Sequence, residues 1–237
     1  MNNITNEIYW NKFWSKKSNR IEFKKLFQLF LPKIKGKSCL EIGCAPGRYL
    51  IYLNTYFKYF ISGLDFCDVT HIKTNFRNAK IHDYVLYNVD FNKFKTKKHF
   101  DVVLSLGFLE HFKNYETIFN KHSKLLSKKG ILFLELPNFR NLQGYFRKKI
   151  DSKNMDRHNL EVMDLEVLRE LCKKNKLKIL FCDYYQTADF WIDPTEHNQM
   201  LVFFINVVFS SILKIISYLI DVPNKYTSPY IVLVAKK

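Results

Sequence analysis

No two of the five cysteines in this 237-residue chain stand in a C-x-x-C pair. Cys39, Cys44, Cys67, Cys172 and Cys182 are odd in number, and several lie on apolar runs that read as buried strands. This excludes a disulfide framework and suits a reducing compartment, so a cytoplasmic location is expected. The seven histidines show no metal-ligand spacing, and no metal is expected. Residues 1–14 are polar and aromatic and carry no apolar stretch of the signal-peptide kind. Arginine is scarce too: 7 of the 38 basic residues, the other 31 being lysine. The basic residues are spread along the chain rather than gathered. A net charge of +16 so dispersed argues against nucleic acid as a partner, because phosphate backbones are met by concentrated patches. An acidic or phosphorylated small molecule suits the charge instead. With 47% hydrophobic residues, the length fits one α/β domain with additions.

What the chain does have is concentrated in residues 39–50, CLEIGCAPGRYL. A short apolar strand carries an acid, Glu41. It breaks into a small-residue turn around Gly43, Ala45 and Gly47, then resumes as an apolar-periodic helix. Small residues let a ligand approach the backbone, and the helix start offers free N–H groups to a nucleotide-like cofactor. The next apolar run, FISGL, ends on Asp65, eighteen residues past Gly47. An acid so placed at the tip of a second strand accepts hydrogen bonds from ribose hydroxyls. NAD-binding turns usually read G-x-G-x-x-G, and their ligand brings a pyrophosphate that Glu41 would repel. S-adenosylmethionine brings a sulfonium and an ammonium, which Glu41 suits.

Later segments agree. Residues 84–88 read as a third strand, followed by Asp90 and Phe91, suited to an adenine edge and face. Residues 100–105 read as a fourth strand and 131–136 as a fifth. LEIGCAPG, GLD, VDF, FDVVLSLGFLEHF and LLSKKGILFLELPN together resemble the class I S-adenosylmethionine-dependent methyltransferases. The resemblance covers roughly residues 26–237. It implies an α/β, Rossmann-like, seven-stranded, mostly parallel sheet with an antiparallel C-terminal hairpin and helices on both faces. Ala45 departs from the glycine many members have there, and alanine is a tolerated variant. The resemblance implies that Glu41 orients the cofactor's amino group while Gly43, Ala45 and Gly47 leave room for its methionine end. Asp65 holds the ribose with Phe66 beside it. Asp90 and Phe91 meet adenine, and Ser105 and Leu106 lie beside the sulfonium, largely through backbone groups. S-adenosylhomocysteine is the product.

The periphery is more individual. Residues 8–30 read as a helix rich in aromatics, ended by Pro32. Residues 1–33 form an N-terminal cover, 34–186 and 226–237 the core, and 187–225 an insertion. Residues 138–163 read as polar and irregular, and Asp164 caps an amphipathic helix. Residues 177–184 and 230–235 read as the last two strands. Residues 200–220 are nearly all apolar and long enough for a membrane span. Yet Asn206, Ser210, Lys214, Ser217 and Asp221 fall on one helical stripe. A lid, dimer or core helix is ranked first, a membrane-surface helix second and a span last.

A sulfonium methyl is already activated, so the protein must mainly hold donor and acceptor in line. A hydroxyl acceptor needs a base; an amine needs only to arrive unprotonated. His111, at the carboxyl end of the fourth strand, and His158 are the candidate bases. Tyr9, Arg157 and Trp191 are candidate substrate contacts, with Arg157 placed to anchor an anion. Asp193, Glu196 and His197 are further candidates to shape the acceptor pocket. Glu110 is read as facing helix or solvent, and His71, His82, His99 and His122 as surface. The reading favoured is O-methylation of a sugar or surface-polysaccharide precursor. The alternatives are N-methylation of a small, phosphorylated amine, methylation of a lipid-linked acceptor, and a catalytically silent binding subunit. Homodimer or peripheral membrane contact through residues 200–220 stays open.

Overall fold

The computed structural model describes residues 4–14 and 21–237. Its centre is a seven-stranded sheet in the order β3-β2-β1-β4-β5-β7-β6. The strands are β1 (Ser38–Ile42), β2 (Phe60–Asp65), β3 (Tyr84–Asn88), β4 (Phe100–Leu106), β5 (Leu126–Pro137), β6 (Lys178–Tyr185) and β7 (Tyr230–Lys236). The first five run parallel, and β7 enters antiparallel between β5 and β6. The fold class is therefore the one expected. Strands buried on both faces read as continuous apolar runs, which is why β1, β4 and β5 were visible.

Among the described residues the core falls into two large apolar clusters and a small third one of Phe190, Ile192 and Ile205. One large cluster gathers Leu40, Ile42, Val103 and Leu134 with helices α5 (Tyr115–Leu125) and α8 (Leu165–Lys174). The other large cluster gathers Cys39, Val102, Leu104 and Phe133 with α2 (Lys24–Phe30) and α3 (Arg48–Tyr52). Asp164 is the cap expected of α8: its side chain accepts the Glu166 N–H. The cysteines carry no disulfide; all but Cys182 are buried.

The single N-terminal helix expected over residues 8–30 is instead two, α1 (Glu7–Trp14) and α2, with residues 15–20 outside the described part. Residue 31, before Pro32, is extended and ends α2. Residues 138–163 are irregular only in part: they form α6 (Asn141–Ile150) and α7 (Ser152–Met155), and residues 156–163 run as turns and bends. The polar content hid α6 because its inward residues are Gln143, Gly144 and Arg147, while Leu142, Tyr145 and Phe146 face out. Arg147 is fully buried, its guanidinium stacked on Phe139 at 3.9 Å and Trp191 at 4.3 Å and ion-paired with Asp151 at 3.8 Å. In the insertion, α9 (Gln199–Leu219) is continuous, with a wider π-helical stretch over Phe204–Phe209.

Candidate active site

The turn after β1 is tied to the end of β2. Gly43 and Cys44 donate their N–H groups to Leu64 O at 2.8 and 3.2 Å. Asp65 is buried: Oδ2 accepts the Ala45 N–H and Oδ1 the Cys67 N–H, each at 3.0 Å. Asn88 on β3 braces the same loop by donating to the carbonyls of Asp65 and Cys67. Gly43 has φ +71°, and a Cβ there would stand 2.7 Å from the Phe108 ring. Gly47 has φ +91°, and its Cβ would meet Phe76 at 2.9 Å. Both positions require glycine.

Glu41 lies beneath this turn, 2% exposed, with Oε2 unpaired. Burial pushes its carboxyl well above the ordinary range, while Arg48 pulls it down and Asp65 pushes it further up. A buried carboxyl with an open oxygen fits a cationic ligand group, and it would repel a pyrophosphate. The residues therefore fit S-adenosylmethionine, whose amino group Glu41 would hold and whose ribose Asp65 would face.

A cleft bounded by Gly43, Asp65, Phe66, Phe91, Gly107 and Phe108 opens from the turn. His111 and Phe112 close one end, and Thr5, Trp10 and Trp14 cover it. Its open volume is only about 40 Å³ because the Phe108 ring lies against Gly43. A small-ligand pocket is usually about 300 Å³ or more, so this ring must turn aside to admit a cofactor. A wider open depression beside Phe139, Arg140 and Asp164 lies away from the glycine turn.

The structure does not bring every expected residue to the cleft. Phe66 and Phe91 line it. Asp90 instead closes its own turn, its carboxylate accepting the Asn92 N–H at 2.7 Å. Ser105 is fully buried and bonded through Oγ to His122 Nε2 at 2.9 Å, so it supports the cleft from behind. Leu106 packs into the core beside β5, and the cleft-lining position falls to Gly107, which also has positive φ. His122 is not on the surface; it is completely buried between Ser105 and Phe91. Its place on the inward stripe of α5 was readable from helical spacing.

The second polar group is at the end of β4. His111 Nδ1 lies 2.8 Å from Arg157 O, which makes Nδ1 the protonated nitrogen and leaves the Nε2 lone pair free. His158 Nδ1 meets Asn154 O at 2.6 Å in the same way, and the two rings pack at 4.6 Å. Glu110 does not face solvent. It is 1% exposed, neither carboxyl oxygen has a partner, and Oε1 is 3.7 Å from His111 Nε2. Burial and Glu135 push its pKa well above the ordinary range. One atom from each of Glu110, His111 and His158 falls within 4.8 Å of the others, a donor set that can take a cation. The spacing in sequence hid this cluster: two of the three are neighbours and the third is 47 positions on.

Burial lowers the His111 and His122 pKa values to about 4, and burial together with His111 holds His158 well below its ordinary value. The unfolded rings titrate near 6.5, so the unfolded chain takes up protons first as pH falls. The stability held by each neutral ring is complete above pH about 6.5 and is lost toward pH about 4. The imidazole NMR signals of His111 and His122 are expected not to titrate between about pH 8 and pH 5. A midpoint near 6.5 for either would show its ring open to water.

Around this cluster, Trp10 packs edge-on to His111 at 4.9 Å. Tyr9 donates to Asp193 at 2.9 Å, and burial and Asp193 raise its pKa. Arg157 covers the Tyr9 ring and pairs with Asp193 at 2.8 Å and with Glu196. Its charge is thus already matched, which corrects the expectation of a free anion anchor. Trp191 is stacked on Tyr230 and Arg147 as a packing residue. His197 bonds Asp151 at 2.9 Å.

Comparison with known proteins supplies the class. A family model described as a methyltransferase domain matches residues 13–180. The chain belongs to this methyltransferase-domain family. A curated relative, (S)-coclaurine N-methyltransferase from Papaver somniferum, is 25% identical over 126 residues, covering 50% of this chain and 34% of the relative. (S)-tetrahydroprotoberberine N-methyltransferase from Eschscholzia californica is 27% identical over 110 residues, covering 42% and 29%. The chain thus matches about a third of the length of these relatives. Among solved structures, Haemonchus contortus phosphoethanolamine N-methyltransferase 2, bound to phosphomonomethylethanolamine and S-adenosylhomocysteine, superposes with TM-score 0.67 at 15% identity. That match covers 97% of this chain and 56% of the other.

Proposed function

We propose that this chain transfers the methyl group of S-adenosylmethionine to the nitrogen of a small amine. The observation that carries the reading is Glu110, a buried carboxyl with two unpaired oxygens beside a neutral histidine at the end of the cleft. Methylating an amine moves positive charge from sulfur to nitrogen. Burial keeps Glu110 protonated while the cleft is empty; a cationic nitrogen beside it would favour the carboxylate, which then stabilises that charge more strongly than water does, because nothing must reorganise. Aromatic walls at Trp10, Phe108 and Phe112 favour the same cation. When bound, S-adenosylmethionine supplies an activated methyl group. His111 Nε2 is placed to take the proton that the nitrogen must shed once Glu110 is a carboxylate, whose charge 3.7 Å away would raise the basicity of a ring that burial otherwise lowers. His158 holds the His111 ring in place, and α1 keeps water out.

The curated relatives reported above carry N-methyltransferase names, and this supports nitrogen over oxygen. No such support attaches to the sugar hydroxyl favoured by the sequence reading. The test compares matched acceptors, phosphoethanolamine with phosphoglycol and a benzylic amine with its alcohol, using methyl-labelled cofactor. Label is expected on the amines, with the alcohols at least a hundredfold slower (about 3 kcal/mol). Label carried only by the alcohols would overturn the reading. Activity surviving a chelator separates it from a cation-dependent reaction at the Glu110 cluster.

A further inference from the structure

Helix α9 is amphipathic the wrong way round for a protein in water. Its polar stripe is the side that faces the protein. Asn206 donates to Ile192 O at 2.9 Å and accepts the Ile192 N–H at 2.7 Å. Ser210 donates to Asp189, Lys214 pairs with Asp189 at 3.1 Å, and Ser217 donates to Ala188 O at 2.7 Å. The apolar side looks outward. Phe203, Phe204, Val207, Ile212, Ile215 and Leu219 are each 50% exposed or more. A surface helix ordinarily buries its apolar stripe.

The outward face continues onto α6. Leu142, Phe146 and Ile150 face Phe204, Phe209 and Leu213 across a groove of about 400 Å³ whose walls are almost wholly apolar. Exposed Lys149 stands beside Ile150 on α6, and exposed Lys225 lies over the ring of Tyr226, which lines the groove, so both border this patch. A patch of this extent exceeds what water-facing monomers normally show.

Three occupants can be weighed on the structure. A membrane span is excluded because the polar stripe is bonded to residues 188–192 of the same domain, and β7 returns to the sheet soon after the helix. A second copy in a two-fold contact would set each lysine border against its own kind. A bilayer with anionic headgroups accepts both parts, the apolar face and the lysines. We propose that α9 lies in the plane of an anionic lipid surface, its outer face among the acyl chains and Lys149 and Lys225 on the headgroups. The strand of chain that α9 grips continues to Asp193, which holds Tyr9 and Arg157 over the candidate active site. Lipid contact therefore bears on the covering of that site, whatever its acceptor.

The whole chain is tested by co-sedimentation with vesicles of phosphatidylcholine alone or mixed with phosphatidylglycerol. It is expected to pellet with the anionic vesicles and to bind about fivefold more weakly for each of Lys149 and Lys225 replaced by glutamate. The triple variant F204E/I212E/I215E should remain in the supernatant. These side chains are exposed, and unchanged binding of S-adenosylhomocysteine or an unchanged circular-dichroism spectrum confirms that the variant is folded. Retention of the parent chain in the supernatant overturns the proposal. So does undiminished pelleting of the triple variant, which would mean adsorption by charge alone. A stable dimer at sedimentation equilibrium that the same substitutions dissociate would assign the face to a second copy and also overturn it.

Discussion

Glu110→Gln is expected to lower turnover about a hundredfold (~3 kcal/mol) while leaving cofactor affinity within about twofold. The substitution keeps the shape of the side chain and removes only its capacity for charge. Glu110 has no bonding partner to lose, so the fold should tolerate the amide. Its carboxyl lies 3.7 Å from Nε2 of His111, which lines the cleft, so the lost charge acts from behind that ring. If the acceptor were an alcohol deprotonated by His111 alone, the amide would cost little. Steady-state kinetics on the best amine acceptor decides between these outcomes.

The second large effect is on the cofactor. Asp65→Ala should weaken S-adenosylhomocysteine binding about a hundredfold, the loss of hydrogen bonds to a charged group. It should also cost about 1–3 kcal/mol of stability, because the amides of Ala45 and Cys67 would lose their acceptor in a buried place. The aspartate thus builds the loop it serves. Asp65→Asn, which keeps one acceptor oxygen, should recover most of the stability and little of the affinity. Calorimetric titration and urea unfolding on the same samples separate the two effects.

The glycine turn, β2 and Asp65 were legible because their signals are local. A run of apolar residues, a turn that only small residues can make and an acid at a strand tip need no knowledge of the rest of the chain. The strand pattern of residues 100–106 gives alternation without saying which face holds the ligand. Here the Ser105 side chain turns to His122, and the cleft is lined two residues later, by Gly107. Asp90 was misplaced because an acid after a strand serves equally to close a turn. Glu110 could not be valued from sequence. Its importance lies in finding no partner, and that depends on how β5, the loop after β4 and the residues before α8 come together.

The insertion shows the same limit from another side. The stripe of Asn206, Ser210, Lys214 and Ser217 was plain in the spacing. Its direction was not, because it depends on Asp189 and the backbone of residues 188–192 as partners. Arg157 likewise looked like a free cation until Asp193 and Glu196 were seen against it.

The central claim is that the turn after β1, with Glu41 and Asp65, is built for S-adenosylmethionine. Calorimetric titration of the purified chain with S-adenosylhomocysteine, with NAD in parallel, tests it most directly. Binding of S-adenosylhomocysteine in the micromolar range (about −8 kcal/mol) is expected, with none detected for NAD. Binding of NAD alone would contradict the account, since the open oxygen of Glu41 would then face a pyrophosphate.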